Sequence, residues 1–346
     1  MKLLVVTQKT DKEDENLGAF YYWFQELALR VERMAIIADA VGNVDLPAHV
    51  VVESLGKEKG RGRIRRLLKF WELFSYYYAH SDAVFFHQIP EFVLAASPFL
   101  LSLKKTTSLW YAHGTVTRKL KLAEKLVDYI FTSSSAGFRL PSKKVFCLGQ
   151  AIHTGMFKPV VDPRQSFNGL KMITIGRISP VKNYENIIKA CSILKSYGAG
   201  QWTLSIVGGA IMPRDHQYVA LLKQLIRQNN LQAHIHFYGA RPYSEIPSLL
   251  KEHDIFLNLS GTGSLDKAVL EAMASGLTVI TSNEAYRALV APQYFLSHDS
   301  AEFIAERIKQ LASEPRPNLE LRAVVEKHHS LSNTIERMVS ILAKPI

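Results

Sequence analysis

The sequence contains little cysteine: its 346 residues include two, Cys147 and Cys191. Two cysteines cannot build a disulfide framework, a four-ligand zinc site or a CxxC redox pair, which favours a protein of the reducing cytoplasm. Long hydrophobic runs are also missing. The run Leu3–Val6 is too short for a secretory signal, and the stretch Phe92–Leu103 is about a third short of a membrane-spanning helix. We therefore expect neither a signal peptide nor a transmembrane segment.

Two motifs of well-understood chemistry are absent as well. No GxGxxG fingerprint follows the first apolar run, where Thr7, Gln8 and Lys9 stand instead, which argues against a dinucleotide-binding enzyme. The adjacent histidines His328 and His329 lack HxxxH spacing and accompanying carboxylates. The spacing of potential ligands therefore predicts no metal site.

Negative charge is in the minority. Lysine and arginine total 42 and aspartate and glutamate 31, which gives a net charge of +11. Hydrophobic residues make up 47% and charged residues 21% of the chain, values that are ordinary for a globular protein and exclude a disordered or collagen-like one. The excess of positive charge predicts an anionic partner, and phosphate, nucleic acid and acidic membrane all fit the charge alone.

Short apolar runs alternate with helix-periodic segments along the whole chain, which is typical of parallel β-sheets covered by helices. We expect strands near residues 3–7, 34–38, 50–53, 83–87, 108–111, 129–133, 144–148, 172–175, 202–207, 234–238, 255–259 and 278–281. A stretch rich in turn formers separates the first seven strands from the last five. The predicted fold class is α/β, with two doubly wound, Rossmann-like domains facing across a cleft.

The predicted domain boundaries follow from this pattern. Residues 1–155 form an N-terminal domain, residues 156–169 an interdomain linker, and residues 170–329 a C-terminal domain. Residues 330–346 form a final helix with one apolar face, which we expect to return to the N-terminal domain.

One motif lies between a predicted strand and a predicted helix. Gly176 and Arg177 follow the strand, and Lys182 and Asn183 precede the helix. A glycine turn with two cations beside a helix N-terminus suits a diphosphate, because Arg177 offers a planar fork of donors and Lys182 a compact charge. The alternative is a pair of solvated loop cations, with Asn183 as a helix cap.

A second motif runs from Asn258 to Ile280: strand, glycine-rich loop, short helix, glycine stop and strand. Its loop amides and helix dipole favour a phosphate or the polar edge of a sugar. Glu271 lies among apolar residues of the short helix. A buried carboxylate needs hydrogen-bond donors, which ribose hydroxyls supply. The alternative is a surface glutamate on the solvent side of that helix.

These motifs resemble glycosyltransferase family 4, the retaining GT-B enzymes such as glycogen synthases and mannosyltransferases. The resemblance rests on Gly176-Arg177 with Lys182-Asn183 and on the Leu-Glu-Ala-Met-Ala-Ser-Gly run at 270–276. Shorter matches support it, namely Gly149–Ile152 with Phe157, Val207–Gly209, Tyr238-Gly239, His253–Phe256 and, in the first half, Asn16–Gly18 and Trp110–His113.

The resemblance implies that the N-terminal domain is on the acceptor side and that the C-terminal domain binds the nucleotide-sugar. It also implies a role for each matching residue. Arg177 and Lys182 hold the donor diphosphate and stabilise the departing nucleotide, Glu271 binds the ribose, and His113 faces the transferred sugar. These four are the predicted catalytic residues. The predicted donor-binding residues are Gly18, Gly176, Gly208, Arg241, Gly263, Ser264, Leu265 and Asp266.

The sequence departs from the family at Gly263. The first glutamate of the family's two-glutamate motif should lie eight residues before Glu271, where this chain has a glycine. Recognition of the donor sugar then falls to the amides of Ser264 and Leu265, and Asp266 is the nearest carboxylate. Asp266 suits a helix cap equally well.

The positive charge is concentrated in two segments of the first half. Residues Lys57–Lys69 contain seven cations and one anion, and Arg118–Lys125 contain four cations and one anion. The first segment runs into a helix rich in leucine and aromatic residues, which predicts a peripheral contact with anionic membrane. The alternative is a solvated loop that leads into an ordinary core helix.

The residues and the resemblance together predict a hexosyltransferase of the cytoplasm or the inner face of its membrane. It moves a sugar from a UDP- or GDP-type donor to a glycan, lipid or small-molecule acceptor, with retention of anomeric configuration. The resemblance implies no metal or other cofactor besides this co-substrate, and no nucleic-acid partner. Two alternatives stay open: a catalytically degenerate GT-B protein that binds a nucleotide-sugar or glycan, and a GT-B-fold sugar-nucleotide epimerase.

Overall fold

The computed structural model describes residues 1–102, 104–160, 169–198 and 200–344. The chain divides into two compact units. The first comprises Met1–Ala151, Pro242–Ser244 and His329–Ile346, and the second comprises Ile152–Arg241 and Glu245–His328. The chain enters the second unit at Ile152, and residues 161–168 of the predicted linker lie outside the described residues.

The first unit is built on a seven-stranded parallel sheet. Its strands are β1 (Lys2–Thr10), β2 (Arg33–Val41), β3 (Val50–Ser54), β4 (Ala83–His87), β5 (Thr106–Trp110), β6 (Tyr129–Thr132) and β7 (Val145–Cys147). The order across the sheet is β3-β2-β1-β4-β5-β6-β7, so the strand order reverses between β1 and β4. Doubly wound sheets bind ligands at such a reversal, outside the carboxyl ends of the strands.

Helices cover both faces of this sheet because alternate side chains of each strand point to opposite sides. Leu3 and Val5 share a hydrophobic core with α1 (Gly18–Ala28) and with α11 (Leu331–Leu342). Leu4 and Val6 share the opposite core with α2 (Arg63–Ala79), α3 (Pro90–Leu100) and α4 (Arg118–Leu126). The final helix α11 thus packs in the first unit.

The second unit contains a five-stranded parallel sheet. Its strands are β8 (Leu170–Ile175), β9 (Trp202–Val207), β10 (Ile235–Gly239), β11 (Ile255–Asn258) and β12 (Thr278–Thr281), and its helices are α5 (Tyr184–Ser196), α6 (Pro213–Gln228), α7 (Ile246–Lys251), α8 (Lys267–Ala274), α9 (Ala301–Leu311) and α10 (Leu319–His328). The order β10-β9-β8-β11-β12 reverses between β8 and β11. The loops that follow β8 and β11 therefore flank the position where a ligand is expected.

The twelve predicted strands are confirmed, with ends displaced by at most three residues. The largest displacements are in β1 and β2, which continue three residues beyond their apolar cores because Lys9 and Thr10 still pair with Ala40 and Val41. Among the described residues, no helix is long and apolar enough to cross a membrane.

Candidate functional site

The candidate site lies at the strand-order reversal of the second unit. Gly176, Arg177 and Lys182 follow β8, and Gly263 and Asp266 follow β11. Since β8 and β11 are parallel neighbours, the loops at their carboxyl ends lie side by side. The ammonium of Lys182 reaches across the reversal to Asp266, with 2.8 Å between Nζ and Oδ2. The two motifs found in the sequence are therefore parts of one site.

The ion pair between Lys182 and Asp266 is largely shielded from water, since each side chain is 17% exposed. Asp266 Oδ2 also accepts a hydrogen bond from Asn258 Nδ2 at 3.1 Å. The amide of Asn258 is fixed in turn by Thr281, whose Oγ1 donates to its Oδ1 at 3.1 Å. Lys182 is thus held in place by an ordered network, and its interpretation as a solvated loop cation is wrong.

The capping roles considered for Asp266 and Asn183 are not observed. Asp266 occupies the N-cap position of α8 but makes no side-chain capping bond within the described chain. Asn183 precedes α5 in the left-handed conformation, with φ 51° and ψ 45°, and its side chain likewise caps no described residue. It donates instead to Asp299 Oδ2 at 2.7 Å. The N-termini of α5 and α8, with their partial positive charge, thus follow directly after Asn183 and Asp266 in the chain, and the main-chain N–H of Tyr184 at the start of α5 donates to Tyr218 OH at 3.1 Å.

Two glycines let the loops after β8 and β9 approach closely. Gly208 has φ +144°, and a Cβ built on it would lie 1.9 Å from the carbonyl oxygen of Gly176, whose own φ is +150°. The loops are joined by hydrogen bonds from the Gly176 amide to the Val207 carbonyl and from the Ile178 amide to the Gly209 carbonyl, both 3.0 Å. The peptide groups beside Arg177 therefore have a fixed orientation.

Arg177 is exposed at the edge of this site. The pKa of Asp215 is lowered, mainly by a hydrogen bond from the main-chain N–H of Met212. The positive charge of Arg177 makes a smaller contribution in the same direction. Arg241, after β10, is paired with Glu245 at 3.5 Å, and its side chain is 40% exposed. The carboxyl edge of the second sheet thus combines accessible guanidinium groups with the shielded ammonium of Lys182.

Glu271 is buried in α8, at 4% exposure, so its interpretation as a surface glutamate is wrong. It shares one face of the helix with the half-buried Lys267, one turn earlier. Burial lowers the pKa of Lys267, and the negative charge of Glu271 opposes that shift. The Glu271 carboxyl group therefore lies next to a cation inside the protein.

The glycine-rich loop after β11 is anchored rather than open. Gly263 has φ +64°, a left-handed conformation that glycine adopts readily. Asn283 Nδ2 donates to the carbonyl oxygen of Ser264 at 2.9 Å, and the side chain of Leu265 is buried. The loop therefore holds its shape without the glutamate that the family pattern places at position 263.

The remaining site predictions fall in the first unit. Gly18 begins α1 and is buried; a Cβ there would lie 3.2 Å from the main-chain oxygen of Lys12. His113 is exposed in the loop after β5. Within the described chain, no group of three histidine, cysteine, aspartate or glutamate side chains could hold a metal ion.

Sequence reasoning missed the partners that orient Asp266. Asn258 and Thr281 end buried neighbouring strands, and Tyr286 OH donates to the main-chain oxygen of Asp266 at 2.6 Å. Polar residues at the ends of two adjacent buried strands were the available signal. Their pairing with Asp266 depends on strand order, which the sequence does not state.

A family model matches the chain mainly over the second unit. Residues 165–331 match the family model described as Glycosyl transferases group 1. The amylovoran biosynthesis glycosyltransferase AmsK of Erwinia amylovora is 33% identical over 119 residues, which is 33% of this chain and 28% of that protein. The putative colanic acid biosynthesis glycosyltransferase WcaL of Salmonella typhimurium is 32% identical over 119 residues, again 33% of this chain and 28% of that protein. The matched segments span less than a third of either relative.

Solved structures share the fold over nearly the whole chain. The complex of Anabaena Alr3699/HepE with UDP and glucose has a TM-score of 0.76 at 16% identity and covers 99% of both chains. Sucrose-phosphate synthase from Thermosynechococcus elongatus has a TM-score of 0.74 at 14% identity and covers 98% of both chains. The predicted GT-B fold class is confirmed.

Proposed function

We propose that this chain is a glycosyltransferase that moves a sugar from a nucleoside-diphosphate donor to an acceptor, with retention at the anomeric carbon. The observation that carries the proposal is the position of Arg177 and Lys182 at the strand-order reversal of the second unit, with Lys182 held by Asp266 at 2.8 Å. The match of residues 165–331 to group 1 glycosyl transferases supports it.

The donor's diphosphate is proposed to lie between the guanidinium of Arg177 and the ammonium of Lys182. One N–H of Lys182 is directed to Asp266. An ammonium has three donors, so two are left for phosphate oxygens. The N-termini of α5 and α8 add partial positive charge from the backbone. Glu271 is proposed to accept from the ribose hydroxyls, a role that requires the buried carboxylate that the helix provides.

The proposed chemistry is the loss of a diphosphate leaving group. As the bond between the sugar C1 and the phosphate oxygen lengthens, negative charge develops on the diphosphate. Lys182 and the helix dipoles are oriented before that charge appears, so they stabilise the transition state with little reorganisation, and the exposed guanidinium of Arg177 adds a second positive charge. The acceptor hydroxyl takes the place of the leaving oxygen on the same face of the sugar and passes its proton to the departing phosphate, which removes the need for a dedicated protein base.

The finer assignments belong to the same proposal. The transferred group is a hexose carried by UDP or GDP, His113 contacts it, and the acceptor is a glycan or a lipid-linked molecule. The UDP in the complexes of Anabaena Alr3699/HepE favours a uridine donor for a chain of the same fold. The reaction is placed in the cytoplasm or at the inner face of its membrane, where both nucleotide sugars and lipid-linked acceptors occur.

The test compares Arg177→Ala and Lys182→Ala with a matched control, Lys189→Ala. Lys189 is an exposed cation of α5 in the same unit, so its removal changes the net charge equally. Donor type is first set by thermal shift with UDP-, GDP- and ADP-sugars, and transfer is then measured with the stabilising donor. Removing a positioned charge from a leaving-group site lowers kcat by roughly a hundred- to thousandfold. The control variant should keep its activity.

Each competing outcome has a distinct signature. Donor-dependent stabilisation without transfer or hydrolysis would identify a binding protein, the alternative raised by Gly263. Isomerisation of the donor sugar with no acceptor would identify an epimerase. Unchanged kcat in both Ala variants would contradict the proposed leaving-group role, and an inverted anomeric configuration in the NMR spectrum of the product would contradict retention.

A further inference from the structure

Helix α2 carries two apolar stripes, and the structure uses one of them in the core. The inward stripe consists of Phe70, Leu73, Phe74 and Tyr78, all buried against the first sheet. The other stripe, here called the outer stripe, consists of Ile64, Leu67, Leu68 and Trp71, whose exposed fractions are 77%, 38%, 58% and 38%. The outer stripe has the spacing i, i+3, i+4, i+7, so its members lie on one face of the helix.

The outer stripe is a formed surface. Trp71 Nε1 donates to the carbonyl oxygen of Ala95 in α3 at 2.8 Å, which fixes the indole while leaving part of its ring in solvent. The inward stripe anchors the rest of the helix to the first unit. Four large apolar side chains are therefore presented together on a rigid support, an arrangement that marks an interaction surface rather than scattered surface residues.

Cations border the outer stripe on both sides. Arg61, Arg63 and Arg65 are exposed, and Lys69 is half-buried next to Glu72, 3.1 Å from its Oε1. Arg66 turns inward, where it pairs with Asp39, and Lys57 lies 3.6 Å from the same carboxylate. The segment Lys57–Lys69 contains one anion, Glu58, so the border remains strongly positive.

We propose that the outer stripe and the cations beside it form a docking surface for an anionic lipid bilayer. The apolar side chains enter the boundary between headgroups and acyl chains, and the arginines remain at the level of the lipid phosphates. A second copy of this chain is a poorer occupant, because a symmetric contact would place each positive border against itself. The inference rests on α2 alone, so it holds whether or not the chain transfers a sugar.

The experiment measures binding of the full chain to vesicles of phosphatidylcholine, with and without phosphatidylglycerol, at low and high salt. We expect binding to the anionic vesicles that weakens with salt. The double variant Ile64→Ser, Leu68→Ser should weaken binding roughly thirtyfold, which is the loss expected when two aliphatic side chains no longer enter the bilayer to about half their area. Arg63→Gln with Arg65→Gln should weaken it by a similar factor at low salt, at roughly fivefold per cation. Leu221→Ser is the matched control, since Leu221 is 50% exposed in the second unit.

Trp71 gives an independent readout. The other tryptophans, Trp23, Trp110 and Trp202, are at most 4% exposed, so brominated lipids can reach only Trp71 if the outer stripe is inserted. Quenching by bromine near the top of the acyl chain should occur in the natural chain and disappear in Trp71→Phe. Circular dichroism and thermal unfolding confirm that each variant remains folded.

Four results of the vesicle experiments would overturn the inference. They are absence of binding to anionic vesicles, equal binding to neutral and anionic vesicles, full binding by the Ile64→Ser, Leu68→Ser variant, and absence of quenching in the bound state. Light scattering measures the oligomeric state and tests a second copy of the chain as the occupant. If the natural chain is dimeric and the Ile64→Ser, Leu68→Ser variant is monomeric, the outer stripe is a dimer contact and the inference is overturned.

Discussion

Asp266→Asn tests whether the network around Lys182 matters for stability and for catalysis. The substitution removes the negative charge but keeps the size of the side chain, and the new amide oxygen can still accept from Asn258 Nδ2, now 3.1 Å from Asp266 Oδ2. Lys182 loses the carboxylate that lies 2.8 Å from its Nζ. The variant therefore removes only the charge interaction between Lys182, which follows β8, and Asp266, which follows β11.

The expected loss of stability lies between two limits. Breaking a fully buried ion pair by removing one partner costs about 3–5 kcal/mol, and breaking an exposed pair costs about 0–1 kcal/mol. With 17% exposure on both side chains, a loss of about 2 kcal/mol is reasonable. For a unit of this size that corresponds to a decrease in melting temperature of roughly 4–8 °C. Glu284→Gln is the matched control, because its pair with Arg287 has the same 2.8 Å distance but side-chain exposures of 66% and 59%; its melting temperature should hardly change.

The effect on catalysis follows from the orientation of the ammonium. A lysine side chain released from its partner samples many rotamers, and we expect kcat to fall about ten- to hundredfold. The readout is the transfer assay in the natural chain and in the Lys182→Ala background. Because Asp266 acts through Lys182, Asp266→Asn should have little further effect on kcat once Lys182 is absent. An undiminished kcat in the single variant, or the same loss in both backgrounds, would refute this reasoning.

Two further predictions concern the second unit. Gly208→Ala should destabilise the protein by about 3 kcal/mol, because the new Cβ would lie 1.9 Å from the Gly176 oxygen at a φ of +144°; Gly209→Ala, 3.3 Å from its nearest neighbour, should cost much less, as chemical denaturation would show. Burial lowers the pKa of His253 from 6.5, and its Nδ1 donates to the Leu249 carbonyl at 2.7 Å. The unfolded chain therefore takes up a proton below pH 6.5 that the folded protein does not, so stability falls as the pH drops towards the folded pKa, by at most about 1.4 kcal/mol per pH unit. His253→Asn should flatten that part of the melting-temperature profile, and an unchanged profile would contradict the assignment.

The strands were predictable because burial on both faces of a parallel sheet selects continuous apolar runs, as in Val84–Phe86 or Ile255–Leu257. Their ends were less predictable. Lys9 and Thr10 extend β1 through backbone pairing with β2, a stabilisation that does not depend on apolar side chains. The chain therefore encodes the existence of each strand more clearly than its length.

The site was predictable only in part. Gly176, Arg177 and Lys182 are close in sequence, and a glycine turn between a strand and a helix predicts their proximity. Asp266 lies 84 positions from Lys182, and the two meet only because β8 and β11 are neighbours. The pairing changes the chemistry of the site, since it converts a mobile cation into an oriented one. That information comes from sheet topology rather than from local spacing.

In helix α2, the sequence alone does not predict which apolar residues are buried. Its sequence contains two apolar stripes, each with helical spacing and each bulky enough for a core, so periodicity cannot decide which one faces the sheet. Tertiary packing decides which stripe is buried. The inward stripe shares a hydrophobic core with the first sheet and α3, and the outer stripe stays exposed next to the arginines. The basic segment Lys57–Lys69 thus runs into a helix whose inward stripe lies in the core and whose outer stripe is exposed, and contact with a membrane stays a prediction. If the bilayer experiment fails while α2 remains folded, the core role stands and the outer stripe needs another occupant.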